Sequence, residues 1–335
     1  MVSVTRHPVV RPTCLCENIV FIDGMSHSGK TAVGPLLSSL HRSELFLLNH
    51  HYDWYCFLSH SGKIQPDVSA SMLRVQADVD LYGLTIGRGT NFRRSDLSGV
   101  ERNLMKDRYL KRIGAREGDD AVERIRKTRP FLIVMVHHLF GESEPLFRAF
   151  GKHLRLYLIV VRHPLWVVES WYRGKWERRF GRDPREFQAL YQVNGKVVPC
   201  FAAGWEKEYL RLNPMEQSIR FVDAFTIKCE ERLRRIPSGM RQKVMIIPFE
   251  RFVTRPYGYL RDIAGLLGTR TTGLTSRLMK AMDIPRRLPA HYLEEKRSQM
   301  NRLVRRCRVS GHYGAMLDRL CRDYEDRYIE KAAEG

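Results

Sequence analysis

The sequence predicts an α/β fold, a P-loop-like parallel sheet flanked by helices and carrying helical insertions, and three observations support it. Five short, continuously apolar runs at 19–22, 45–48, 131–136, 156–161 and 244–247 are separated by helix-length polar stretches, the pattern of strands buried on both faces. The first run passes through a glycine-bounded loop directly into a helical pattern. At 335 residues and 43% hydrophobic content, the chain has ample material for a large buried core.

Taken in order, residues 1–17 read as a disordered or loosely docked lead-in, and 18–335 as a single domain. The run 19–22 leads into Asp23-Gly24-Met25-Ser26-His27-Ser28-Gly29-Lys30-Thr31. Its spacing, Gly24-x4-Gly29-Lys30-Thr31, satisfies the Walker A pattern in the strand–loop–helix context that pattern requires. The glycines let consecutive N–H groups point at one anion, the following helix aims its positive end there, and Lys30 adds a full charge. The second run is followed by His50, His51 and Asp53. Residues 62–129 are polar, with Leu97, Val100, Leu104 and Leu110 at partly helical spacing, and read as a helical insertion or lid.

In such sheets, ligands collect at the carboxyl ends of the strands. Two of those ends are basic here: the third run continues into His137-His138, and the fourth into Arg162-His163-Pro164, with Ser170 about two helical turns further on. A magnesium-nucleotide site needs a carboxylate at such a position. The nearby acids are Asp23 and Glu250, neither closing an apolar run in the usual way. Residues 173–214 hold Trp176, Tyr191 and Trp205 among many Arg and read as acceptor-side helices, with Val193-Asn194-Gly195-Lys196-Val197 as a hairpin turn. Residues 271–335 read as a basic C-terminal lid: 286–308 carries eight Lys and Arg against two Glu.

A net charge of +20 favours anionic partners without choosing among them. The seven cysteines are scattered, with no C-x-x-C pair, and read as reduced thiols rather than a metal site, so no metal is expected. No apolar run reaches the length of a membrane span and residues 1–16 lack the apolar centre of a signal peptide, which makes a cytoplasmic location the expectation.

Three segments together resemble a known family. Arg162-x-Pro164 with Ser170 downstream, after an apolar strand and a Ser-Gly-containing phosphate loop, is similar to the 3′-phosphate motif of sulfotransferases that use 3′-phosphoadenosine 5′-phosphosulfate (PAPS). Residues 244–268 are similar to that family's strand, Tyr-Glu-Asp-Leu-like turn and closing helix, so the likeness spans about residues 18–270. The resemblance implies a sulfuryl transfer from PAPS to a hydroxyl or amine, a carbohydrate or other glycan among the acceptors, with no metal and no specific nucleic acid. By the same motifs, Ser26, His27, Ser28, Gly29, Lys30 and Thr31 would hold the 5′-phosphosulfate, Arg162 and Ser170 the 3′-phosphate, and His138 would be the general base beside Lys30. The chain departs from the family pattern in placing its loop cation after Ser28-Gly29, and in lacking both the Lys of the Lys-Thr-His segment and the C-terminal Arg-Lys-Gly. Two other readings compete: an ATP- or GTP-dependent kinase or NTPase, and a polyanion- or nucleic-acid-binding protein.

Overall fold

The computed structural model describes residues 7–289 and 291–329. Among the described residues seven strands form, β1 (Ile19–Asp23), β2 (Leu47–Leu48), β3 (Leu132–Met135), β4 (Leu154–Val161), β5 (Leu190–Val193), β6 (Lys196–Pro199) and β7 (Val244–Pro248). The helices of the first half are α1 (Lys30–Ser38), α2 (His51–His60), α3 (Pro66–Thr85), α4 (Lys106–Ile113), α5 (Asp119–Thr128) and α6 (Glu144–Phe150). Those of the second half are α7 (Pro164–Arg173), α8 (Glu206–Tyr209), α9 (Pro214–Arg235), α10 (Ser238–Arg241), α11 (Phe249–Thr254), α12 (Pro256–Leu267), α13 (Gly273–Ala281), α14 (Tyr292–Arg306) and α15 (Gly311–Tyr328).

All five apolar runs become strands of one parallel sheet ordered β2-β3-β1-β4-β7. The chain leaves β1 for the far edge and returns through β3 to β1's side, so β1 lies at the crossover where open α/β sheets bind ligands. Side chains alternate between two cores. Ile19, Phe21, Leu132, Val134 and Tyr157 join one, and Val20, Ile22, Ile133, Met135 and Leu158 the other. An irregularity between Ile19 and Val20 skips one β4 residue, so Leu154 and Leu156 serve opposite cores while Arg155 is left exposed. A third core, rich in aromatic side chains, joins α7, α9, α14 and α15.

Several segments differ from the sequence expectation. The described part of the lead-in is docked: buried Asp78 accepts from the Leu15 and Cys16 amides and from Arg11, and Asp67 accepts from the Val9 amide. Residues 62–129, read as an insertion or lid, contribute Leu73, Leu81, Tyr109 and Ile125 to the main core. Buried Glu44 clamps them there, accepting from Arg108, Tyr109 and Arg112 at 2.6–3.0 Å. Burial raises the cost of its charge, but those donors prevail and hold the carboxyl below its ordinary range. Residues 174–213 are mainly short turns and the β5–β6 hairpin rather than helices, because Asn194 and Gly195 both take positive φ at the tight turn. Of 271–335, the described residues form α13–α15, and α14 and α15 pack on the α7–α9 body through Met300, Leu303, Leu317 and Leu320. Residues 290 and 330–335 of that stretch lie outside the described residues.

Candidate functional site

The loop from β1 to α1 has the form its sequence requires. Gly24 (φ 136°) could not carry a side chain, since a Cβ there would stand 2.2 Å from the Val160 carbonyl oxygen. At Gly29 (φ 96°) a Cβ would meet the Phe249 ring at 2.1 Å. The loop carbonyls are held from behind: Gly24 accepts from the His138 amide, Ser26 from the Trp171 indole at 3.1 Å, and His27 from Arg162 at 3.0 Å. At the start of α1 the Ala32 amide already donates to the Gly29 carbonyl at 2.9 Å, whereas the Lys30 and Thr31 amides have no intrahelical acceptor. Thr31 is exposed at that helix end, and the Ser28 hydroxyl is buried without a partner. These orphaned donors are the groups a phosphate or sulfate would satisfy.

Lys30 is buried, with Nζ donating to the Gly24 and Val136 carbonyls at 2.6 and 2.7 Å, which leaves the third donor of its ammonium for a ligand. Burial lowers its pKa to about 8, while Asp23 and Asp53 pull the other way. Arg162 lies between loop and strand end, its guanidinium 4.9 Å from the Phe249 ring centre and its Nε buried without a partner. Ser170 is half-buried on α7, the helix whose Trp171 ties down the loop.

The two acids that the sequence offered as metal ligands are engaged by the protein's own donors. Asp23 is buried and accepts from the Gly24 and Leu139 amides and the Tyr157 hydroxyl. Glu250 accepts from the His163 amide at 3.2 Å and the Tyr324 hydroxyl at 2.5 Å.

Next to the loop, and reached through Ser26, is a cavity of about 220 Å³. Trp54, Phe57, Trp171, Phe180, Phe201 and Phe221 form much of its wall, and His50, Asp53, His137 and His138 stand at its loop end. His138 packs edge-on against Trp171, Phe201 and Phe221. Its Nε2 pairs with the Gln188 carbonyl oxygen at 3.0 Å, and its Nδ1 is buried without a partner. Burial, then His137 and Lys30, lower its pKa to about 3. The base role that the resemblance implies for His138 requires an open nitrogen, and in this arrangement Nε2 is engaged by Gln188 and Nδ1 is buried.

His137 differs. Asp53 accepts its backbone N–H at 3.1 Å, and the other carboxylate oxygen lies 3.9 Å from Nδ1 and 3.6 Å from the Nδ1 of His50. Burial would raise the Asp53 pKa, but the His137 and His50 imidazoles outweigh it and hold the group well below the usual carboxylate range. One ligand atom from each of His50, Asp53 and His137 falls within 4.8 Å of the others. The two rings, however, lie 20° from parallel with centres 5.6 Å apart. In-plane lone pairs on stacked rings run side by side rather than converge, which suits sharing a proton through Asp53 better than chelating an ion.

The structure thus brings Ser26, His27, Ser28, Gly29, Lys30 and Thr31 together with Arg162 at one strand end, and places His138 behind Gln188. Sequence reasoning missed Gln188 and Phe249, which no local pattern marks. His50 and Asp53 could be found only by their position after a strand.

No protein-family model matches the chain, and neither does any curated protein. In structure the chain is similar to sulfotransferases. Against the sulfotransferase domain from the curacin biosynthetic pathway it shows 15% identity, 78% of this chain and 77% of that one covered, and a TM-score of 0.44. For the sulfotransferase domain of the Synechococcus PCC 7002 olefin synthase the values are 13%, 81%, 80% and 0.42. For sulfotransferase STF9 from Mycobacterium avium they are 13%, 94%, 77% and 0.43. Among the described residues no helix is long and apolar enough to cross a membrane.

Proposed function

We propose that the protein transfers a sulfuryl group from PAPS to a hydroxyl or amine of a small acceptor held in the aromatic cavity. The observation that carries this reading is the electrostatic make-up of the loop. Its orphaned donors and Lys30 are arranged for an anion, while Asp23 and Glu250 are already spent on protein donors, which disfavours the magnesium-triphosphate alternative. The loop amides and Thr31 would hold the 5′-phosphosulfate, and Arg162 with Ser170 the 3′-phosphate.

In the reaction, the acceptor oxygen forms a bond to sulfur as the bond from sulfur to the bridging oxygen breaks. The electron pair leaves with the 5′-phosphate, and the acceptor's proton passes to a base. Lys30 and the helix end are fixed before reaction and stabilise the charge growing on the bridging oxygen, an effect worth roughly 3–4 kcal/mol per donor in comparable sites. A cavity of about 220 Å³ with aromatic walls suits one or two rings, or a sugar presenting its C–H face, rather than a long polymer.

Thermal shift with 3′,5′-ADP and with Mg-ATP tests the reading. Stabilisation by the first and not the second is expected; the reverse would return the protein to the kinase or NTPase class.

A further inference from the structure

We propose that His137, positioned by Asp53, is the base that takes the acceptor's proton, and that His138 is a wall of the cavity rather than its proton acceptor. This rests on the sulfuryl-transfer reading. A base must present a lone pair to the hydroxyl at hydrogen-bond distance. His138 presents none: Gln188 engages Nε2, whose own amide nitrogen is held by the Cys200 sulfur at 2.9 Å, and Nδ1 is closed off by the surrounding rings.

His137 has the complementary arrangement. Its side chain is 26% exposed and lines the cavity, yet its Nδ1 is buried on the Asp53 side, so the exposed edge carries Nε2. When Nε2 takes a proton, Nδ1–H turns its charge toward the Asp53 carboxylate 3.9 Å away, a contact with room to tighten once an acceptor closes the site. The backbone bond from His137 to Asp53 fixes the two groups relative to each other independently of the ring. Lys30 supports the same division of labour from the other side. It donates to the Val136 carbonyl, one residue before His137, placing the group that stabilises the leaving oxygen beside the group that receives the proton.

The charged and titratable groups facing His137 are Asp53 and His50 from α2 and its start, Lys30 from α1, and His138 next in the chain. Burial and Lys30 lower the His137 pKa, and Asp53 raises it, so a neutral, proton-accepting ring is available at neutral pH.

Carbethoxylation by diethyl pyrocarbonate, mapped by mass spectrometry, reads accessible neutral imidazole nitrogens without any turnover. The expected result is modification of His137 and protection of His138. In Asp53→Asn the pH midpoint of His137 modification should move down by about one unit, because the carboxylate that favours the imidazolium is gone. His137→Gln should lower transfer of label from PAPS into a fractionated small-molecule extract by roughly 10²–10³-fold, with 3′,5′-ADP affinity held within about twofold. Modification of His138 instead, an unmoved midpoint in Asp53→Asn, or undiminished transfer by His137→Gln would overturn the assignment and leave sulfuryl transfer standing. A wild-type protein that neither binds 3′,5′-ADP nor transfers the label would overturn both.

Discussion

The two halves of the site are built by different means. The anion-loop half is contiguous and its shape is set by backbone: two glycines at positive φ, carbonyls pinned from behind, and the Lys30 and Thr31 amides left without intrahelical acceptors. The cavity half is assembled from side chains that are far apart in the chain, His50, Asp53, His137, Trp171, Gln188, Phe201 and Phe221, and it depends on how rings and imidazoles pack. The difference teaches that anion binding here should be brittle toward changes at a few backbone positions. Acceptor recognition should instead respond gradually to changes in the wall.

The largest effect should come from Gly29→Ala. Its φ of 96° and the Phe249 ring in the way of a Cβ should cost roughly 2–4 kcal/mol and abolish 3′,5′-ADP binding, measured by denaturant titration and calorimetry. Retained affinity would break the claim that backbone shape governs the donor half. Next, Lys30→Met should reduce transfer by at least about 10²-fold. Since the charged form of Lys30 is present below about pH 8, wild-type kcat/KM should fall as pH rises through that value. Stability moves oppositely. A lysine pKa lowered from 10.5 to about 8 costs stability below pH 8, and that cost is relieved between pH 8 and 10.5, as a denaturant series across that range would record.

A smaller effect is expected in the cavity wall. Trp54 is 37% exposed and donates to the Phe187 carbonyl at 2.9 Å, so Trp54→Ala should raise the acceptor KM by roughly tenfold while 3′,5′-ADP affinity is unchanged. A loss of nucleotide affinity would show that the halves are coupled rather than separate. A further effect should be seen only in acid. Between pH 6.5 and about 3 the unfolded chain protonates His138 and the folded chain does not, so stability declines as pH falls through that window. His138→Gln should flatten that decline in melts at pH 7 and pH 4.5.

The same contrast explains what was legible in the sequence. All five sheet strands could be read from their apolar runs, since a strand buried on both faces leaves an unbroken signature. The loop was legible because Gly24 and Gly29 answer local backbone demands, and the Asn194-Gly195 turn for the same reason. Apart from the hairpin turn, residues 173–214 were misread as helical, because Trp and Arg content says little about local conformation, whereas tertiary packing decides it. The histidine side of the cavity was least legible. Whether His137 or His138 presents a nitrogen depends on Gln188, fifty residues further on, and on three rings that no spacing rule connects to it.

The placement of the hairpin segment has a consequence for how such a protein changes its tastes. Residues of 174–205, among them Trp176, Phe180, Gln188 and Phe201, line the cavity, and the Trp54–Phe187 and His138–Gln188 bonds fasten the stretch to α2 and to the residues after β3. Phe180 and Phe201 of that stretch are also buried in the third core, so only its exposed positions, Phe187 among them, can be altered without disturbing the packing beneath.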